Sequence, residues 1–322
     1  MSGARCRTPV VFLVFRRPEV TRRVFEEIRR ARPPALLVVA DGPRDEAERE
    51  ACERTRAVTE AVDWECEVSR EYAPANLGCR RRVSSGIDWA MARVEEAIIL
   101  EDDCLPHPSF FRFCDAMLER YRSDARIGMV SGDNFQRGQI RGDGSYYFSR
   151  YSHVWGWATW RRAWRRYDGS LEGWPAFRDG GGLARTFEDP LEVAYWRWHL
   201  DRLRDTGQPD TWDYQWAFTS FSHGSLSIIP NVNLVSNIGF GDDAAHTRTQ
   251  NRFASMEVGE LGEIRHPSRV ARDLEADAFT FEHALGGRSM RREGLWHRRL
   301  KRRWDRLRVG LGLKAVAPRK PR

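Results

Sequence analysis

Apolar runs and helical spacings alternate from the start of the chain. Residues 10–15, VVFLVF, have no polar position on either face, which predicts a strand covered on both sides. Arg16, Arg17 and Pro18 end it. Val24, Phe25 and Ile28 then recur at helical spacing over 21–30, and Pro33 and Pro34 stop that helix. Residues 36–40 form a second apolar run that leaves through Asp41-Gly42-Pro43-Arg44; 45–62 are helical and 64–72 predict a third strand. A βαβαβ opening of this kind implies parallel strands joined by right-handed crossovers. Asn76-Leu77-Gly78 opens the next loop, and a helix over 80–93 turns Val83, Ile87 and Met91 inward. The apolar run 97–100 follows. Beyond it the pattern predicts a helix over 110–121 capped by Ser109, strands over 127–130, 146–151 and 228–235, and helices over 189–204 and from Thr211.

The run at 97–100 leads straight into Glu101, Asp102 and Asp103. The carboxyl ends of strands are where open α/β sheets bind ligands. Adjacent acids repel one another unless a positive charge sits among them. A hard divalent cation with oxygen ligands, Mg²⁺ or Mn²⁺, would supply it. The competing reading is a solvated acidic turn with one Asp capping the helix beyond Pro108. Arg17, in the FRRP exit of the first strand, can meet a phosphate or a base, or be one exposed arginine among many. Asp41, at the second exit, can only accept hydrogen bonds, which suits the N–H edge of a base; an Asx turn before Gly42 is the alternative. Neither G-x-G-x-x-G nor a Walker A sequence is present, so those two phosphate-binding fingerprints are excluded.

From Val154 the chain reads VWGWATWRRAWRRYD. Trp155 and Trp157 flank Gly156 and are candidates for stacking on a sugar or base. Trp160 and Trp164 stand at i, i+4 spacing and predict simple packing on a helix.

Composition adjusts this picture in three ways. Of the 53 basic residues only Lys301, Lys314 and Lys320 are lysines, so single arginines carry little weight. The net charge of +7 is concentrated at the end: residues 288–322 hold 14 Lys/Arg against Glu293 and Asp305, leaving the body mildly acidic. That argues against nucleic acid as a partner of the main body. The six cysteines form no C-x-x-C pair, which fits reduced thiols in a cytoplasmic setting. No signal peptide or membrane span is read from the sequence. Trp296, Leu300, Trp304, Leu307 and Leu311 can share one face of a cationic helix, suited either to an anionic membrane surface or to packing on the main body.

Taken in order, these motifs resemble GT-A-fold, nucleotide-sugar-dependent glycosyltransferases. The chain is similar to bacterial family-2-like enzymes that open with an apolar strand, F-x-R-P and a strand ending in D-G. It also resembles the N-acetylglucosaminyltransferases that start N-glycan branching, through EDDCLPHPSFF at 101–111, SGDN at 131–134, Gly156-Trp157, Trp212-Asp213 and the Phe240-to-His246 loop. The resemblance implies an α/β, GT-A fold with a mostly parallel central sheet flanked by helices. It covers roughly 10–247; the sequence itself divides into a catalytic domain at 1–254 and a basic C-terminal extension with an amphipathic helix at 255–322, which has no counterpart in the resemblance. The resemblance implies metal-dependent, inverting transfer of a sugar from a nucleotide-diphospho-sugar, UDP-sugar favoured, to a carbohydrate or lipid-linked acceptor.

By the same resemblance, Asp103 ligates Mn²⁺ or Mg²⁺ and His246 completes the metal shell or closes over the phosphates. Glu101 and Asp102 contact donor hydroxyls, and Arg17, Asp41 and Asn76 hold the nucleotide. Trp155, Gly156 and Trp157 meet the acceptor. Asp213 is the base, with Asp210 and Asp133 next in line, since a second acid is missing from Trp212-Asp213-Tyr214-Gln215-Trp216. Two alternatives stand beside this reading: a sugar-nucleotide pyrophosphorylase or nucleotidyltransferase, and a non-catalytic carbohydrate- or membrane-binding protein.

Overall fold

The computed structural model describes residues 5–239, 253 and 255–294. The chain divides into two compact units, Met1–Asp277 and Ala278–Arg322. In the first unit, β1 (Val10–Val14), β2 (Ala35–Ala40), β3 (Glu67–Tyr72) and β4 (Glu96–Glu101) lie parallel in the order β3-β2-β1-β4. The connecting helices are α1 (Pro18–Ala31), α2 (Glu46–Val58) and α3 (Cys79–Met91). Because side chains alternate along a strand, each apolar run feeds two cores at once. Val10, Phe12, Leu36, Val38 and Ile98 join one, and Val11, Leu13, Leu37, Val39 and Ile99 join the other with Val83 and Ile87 of α3.

Downstream come β5 (Cys104–Pro106), α4 (Pro108–Tyr121), β6 (Ile127–Ser131), β7 (Tyr146–Ser149) and β8 (Trp157–Trp160). Then follow α5 (Arg161–Trp164), α6 (Trp174–Asp179), α7 (Gly182–Thr186), α8 (Pro190–Thr206), α9 (Asp213–Ser222), β9 (Leu226–Pro230) and β10 (Val235–Asn237). The eight-stranded sheet runs β3-β2-β1-β4-β8-β6-β9-β7, with β8 antiparallel to both its neighbours and β7 antiparallel to β9. This is the α/β class, with the mostly parallel sheet read from the sequence.

The differences are local. The tryptophan-rich stretch is not one helix: 157–160 is a strand and only 161–164 is helical. Period-2 alternation therefore sends Trp160 and Trp157 to opposite cores, and Trp164 joins Trp157 rather than Trp160. The expected strand 228–235 is two, β9 and β10, and β10 pairs with β5 in a separate two-stranded ribbon. The cap of α4 is His107, whose Nδ1 accepts from the Ser109 N–H at 3.2 Å; neither Ser109 nor an acid of the triplet serves.

The first unit runs on past residue 254. The Ser145 N–H donates to the Arg265 carbonyl at 2.7 Å, Arg272 bridges to Phe148 in parallel, and the Asp273 N–H donates to the Phe148 carbonyl at 2.8 Å. This segment lies along β7, whose four residues are all buried. The opposite edge strand, β3, is half-exposed and carries Glu67, Arg70 and Glu71. Helix α10 covers Leu274–His283, and residues 287–294 are helical again. Within the second unit, Glu282 pairs with Arg291 at 2.5 Å. His246 and the cationic stretch from Trp296 lie outside the described residues. Among the described residues, no helix is long and apolar enough to cross a membrane.

Candidate active site

Three strand exits meet at one cleft of about 490 Å³. Phe15, Arg16 and Arg17 follow β1, Asp41 and Arg44 follow β2, and Glu101, Asp102 and Asp103 stand at the end of β4; all line it. The start of α3 (Gly78, Cys79, Arg82) and the loop Asp210–Asp213 before α9 form the facing wall, with Trp155 alongside. Parallel strands force this convergence, because every exit loop opens at the same end of the sheet.

Two acids of the triplet share one arginine, and the third, among the described residues, has none of its own. Asp102 is 3% exposed. It pairs with the Arg17 guanidinium, and its Oδ2 accepts from the Phe15 N–H at 3.3 Å. Both oxygens are therefore engaged by the protein, and Asp102, which lines the cleft, fixes Arg17. Asp103 accepts from the same guanidinium, Nη2 to Oδ2 at 3.0 Å. Glu101 continues the face of Ile99 and points toward the α3 side. Burial, followed by the charges of Asp103 and Asp102, pushes the Glu101 carboxyl up to about 8, against the pull of Arg17; Asp213 adds to the rise. The Cys79 thiol is also raised, by burial and then by Glu101, Asp213, Asp210 and Asp103. Those four carboxylates thus share one electrostatic neighbourhood.

Asp41 and Asn76 act on each other. Asp41 Oδ1 accepts from the Gly42 N–H at 2.8 Å and the Leu77 N–H at 2.9 Å, and its Oδ2 accepts from Asn76 Nδ2 at 2.9 Å. Burial raises the Asp41 carboxyl, and the Leu77 and Gly42 N–H groups oppose this. The pair ties the β2 exit to the loop before α3. Gly42 is obligatory there, since a Cβ would stand 2.5 Å from the Ala75 backbone. Phe15 is flanked by the guanidinium groups of Arg16 at 5.7 Å and Arg44 at 5.8 Å, leaving a cationic, aromatic end to the cleft.

Of the three residues expected at an acceptor site, Trp155 alone lines the cleft. Trp157 is 1% exposed and stacks on Trp212 at 5.4 Å and 21°. Gly156 is buried with a φ of 66°, and a Cβ there would meet Val235 at 2.8 Å. Both are corrected to packing roles. Asp210 caps α3, accepting from the Cys79 N–H at 2.9 Å and the Arg80 N–H at 3.3 Å. Asp133 is fully buried beside His153 and away from the cleft lining. Asp213 accepts from the Thr211 hydroxyl at the first turn of α9. Arg44, Arg82 and Phe15 line the cleft without having been singled out; the only sequence signal for them is position, a few places past a strand or just inside a helix.

The carboxylates at the end of β4 are hard-oxygen donors of the kind a magnesium-like cation takes. Such ions are held by one or two carboxylates and fill the remaining positions with water and phosphate oxygens. Glu101, Asp103 and Asp213 carry hard oxygens, and Glu101 is raised first by burial and then by the neighbouring Asp103 and Asp102. Among the described residues, no three Asp, Glu, His or Cys side chains stand together as a group that could hold a metal ion, so substrate oxygens would have to supply most of its ligands.

No protein-family model matches the chain, and no curated protein does. Solved structures do. A cytidylyltransferase from Leptospira borgpetersenii serovar Hardjo-bovis matches at 11% identity and a TM-score of 0.29, over 50% of this chain and 64% of that one. A UDP-glucose pyrophosphorylase complexed with UDP-glucose matches at 11% and 0.27, over 46% and 65%. The 4-diphosphocytidyl-2C-methyl-D-erythritolsynthase from Anaerococcus prevotii matches at 7% and 0.31, over 53% and 77%. The chain spans just under two thirds of the length of the first two. None of these names is that of a glycosyltransferase. The sugar-transfer reading is corrected: the names these matches carry are those of nucleotidyltransferases. Superposition this limited carries no argument about residues or substrates.

Proposed function

We propose that this chain is a nucleotidyltransferase that joins a nucleoside triphosphate to a sugar phosphate and can run in the reverse, pyrophosphorolytic direction. The observation behind this reading is the cleft at the exits of β1, β2 and β4, where Arg17 is clamped between Asp102 and Asp103 and Glu101 stands beside them. In this reaction a sugar-phosphate oxygen attacks the α-phosphorus. One P–O bond forms, the α–β P–O bond breaks, and pyrophosphate leaves with the electron pair. The nucleophile is already an anion, so no general base is required, and Asp213 is assigned to the carboxylate group rather than to proton abstraction. Asp103 with Glu101 would hold a Mg²⁺ or Mn²⁺, which would neutralise charge on the polyphosphate. Arg17, fixed in direction by Asp102, presents its remaining N–H groups to phosphate oxygens. Asp41 and Asn76 hold the shape of the nucleotide end, with Phe15 between its two arginines as the stacking surface.

The test is pyrophosphate release from each of UTP, CTP, GTP, dTTP and ATP with a panel of sugar 1-phosphates and Mg²⁺. The expected outcome is release that needs both substrates and the metal. It should fall at least about a hundredfold in Asp103→Asn, in line with several kcal/mol of lost charge stabilisation. No pyrophosphate from any pair, and no pyrophosphorolysis of UDP- or GDP-sugars, would end this reading.

A further inference from the structure

Past the ribbon that β10 makes with β5, the chain runs down onto the acid triplet. Asn237 stands opposite Cys104, and the pairing continues one step further, where the Ile238 N–H donates to the Asp103 carbonyl at 2.8 Å. The next residue, Gly239, is tied in place through Asn237. Its N–H donates to Asn237 Oδ1 at 2.9 Å, and the Asn237 carbonyl accepts from the Ser255 N–H at 2.9 Å. Asn237 and Gly239 both line the cleft.

The Gly239 backbone meets the Arg17–Asp103 pair there. A Cβ at 239 would overlap Asp103 Oδ2 and stand 2.7 Å from both Asp103 Cβ and Arg17 Nη1. Gly239 does not adopt the left-handed backbone that favours glycine, so space, not conformation, demands glycine at this position. Neither neighbour can step aside into water. Asp103 Oδ2 accepts from Arg17 Nη2 at 3.0 Å, and the two side chains are only 17% and 18% exposed. The same guanidinium is held by Asp102, whose Oδ2 accepts from the Phe15 N–H. Two polar atoms of the pair remain available. Among the described residues, Arg17 Nη1 has no hydrogen-bond partner, and Asp103 Oδ1 has only the weak thiol donor of Cys104 at 3.6 Å. Phosphate oxygens seek N–H donors and hard cations seek carboxylate oxygens, so these two atoms suit a polyphosphate and its counter-ion.

We propose that Gly239 is a positioning residue of the cleft. Its bare backbone holds Asp103 Oδ2 against Arg17 and leaves Asp103 Oδ1 and Arg17 Nη1 to meet the polyphosphate of the nucleotide. This rests on the nucleotidyltransferase reading, and the experiment separates the two. Gly239→Ala is made in the wild-type chain and in Asp103→Gly, which deletes both Asp103 atoms that the methyl would touch. The crystal structure of Gly239→Ala, urea midpoints of all four proteins and calorimetric titration with UTP and Mg²⁺ are the readouts. In the crystal, the separation of Arg17 Nη2 and Asp103 Oδ2 should open from 3.0 Å to beyond about 3.5 Å, the limit of a hydrogen bond. The methyl should lower the urea midpoint more in the wild-type background than in Asp103→Gly, the non-additivity of residues in contact. UTP affinity should fall at least about tenfold in Gly239→Ala, as for the loss of one charge-assisted hydrogen bond. An intact pair in the variant crystal overturns the proposal, as does an equal loss of stability in both backgrounds or unchanged UTP affinity. If Gly239→Ala alone does not fold, the double variant should, and failure of both overturns the proposal too. Failure of the wild type to bind UTP or any other nucleoside triphosphate counts instead against the nucleotidyltransferase reading, and the crystal and the urea midpoints then judge Gly239 by themselves.

Discussion

Arg17 shows how much one side chain organises. Its guanidinium spans Asp102 and Asp103, and Asp102 is buried deeply enough that losing its partner strands a charge. Removing one member of a buried pair costs about 3–5 kcal/mol, whereas removing both can be nearly neutral. Arg17→Met is therefore expected to lower the unfolding free energy by about 3 kcal/mol in urea titrations, and Arg17→Met/Asp102→Asn to regain more than half. A loss below about 0.5 kcal/mol would mean that water already screens the pair. At this scale the sequence was legible as far as the acid triplet, because three carboxylates directly after an apolar run mark the carboxyl end of a buried strand. The division of labour within the triplet was not. Asp102 is committed by an arginine 85 positions earlier, and Asp41 by the amide of Asn76, 35 positions later. Those partnerships arise from folding and leave no local pattern.

Strand β8 and helix α9 carry the next level. Trp157 on β8 meets Trp212 and Trp216 near the start of α9, and Trp164 closes the group. This cluster seats the loop that delivers Asp213 to the cleft. Trp157→Ala should cost about 3–5 kcal/mol of stability, as large-to-small core changes do. A variant that kept full stability but lost sugar binding would return Trp157 to the site. Here the sequence was misleading for a physical reason: 157, 160 and 164 recur at the spacing of one helical face, whereas a strand puts 157 and 160 on opposite faces, and the neighbours that decide between the two lie far along the chain. Helix α8 offers a separate check. Burial pushes the Glu192 carboxyl up to about 7, although the Tyr151 hydroxyl donates to it. Above its unfolded-state value the denatured chain releases this proton while the native chain keeps it. Stability is therefore lost as pH rises from about 4.5 through 7. Glu192→Gln cannot ionise, so its stability relative to wild type should rise by about 2 kcal/mol between pH 5 and 7.5, followed by thermal unfolding across that range. An identical pH slope in the two proteins would show that Glu192 ionises normally.

At the scale of the whole molecule, the βαβαβ opening was readable, since buried parallel strands advertise themselves as unbroken apolar runs. The insertion of antiparallel β8 between β4 and β6, and the β5–β10 ribbon, were not, because both depend on pairings between distant short segments. The two edges of the large sheet are also finished differently. Glu67, Arg70 and Glu71 make β3 a poor template for another chain. The far edge, Tyr146–Ser149, has no such charges and depends on residues 265–273 lying along it. That segment therefore serves solubility as well as fold. A fragment cut at residue 254 would present tyrosine- and phenylalanine-rich backbone with open hydrogen-bonding groups, a surface on which a second molecule can add as a strand. Light scattering of the 1–254 fragment should rise with concentration and time while the full chain stays clear, and Phe148→Lys in the fragment should slow the rise. A fragment as quiescent as the full chain would show that β7 needs no cover. If the edge behaves as its composition dictates, the stretch after 254 keeps the protein from assembling with itself wherever it is concentrated.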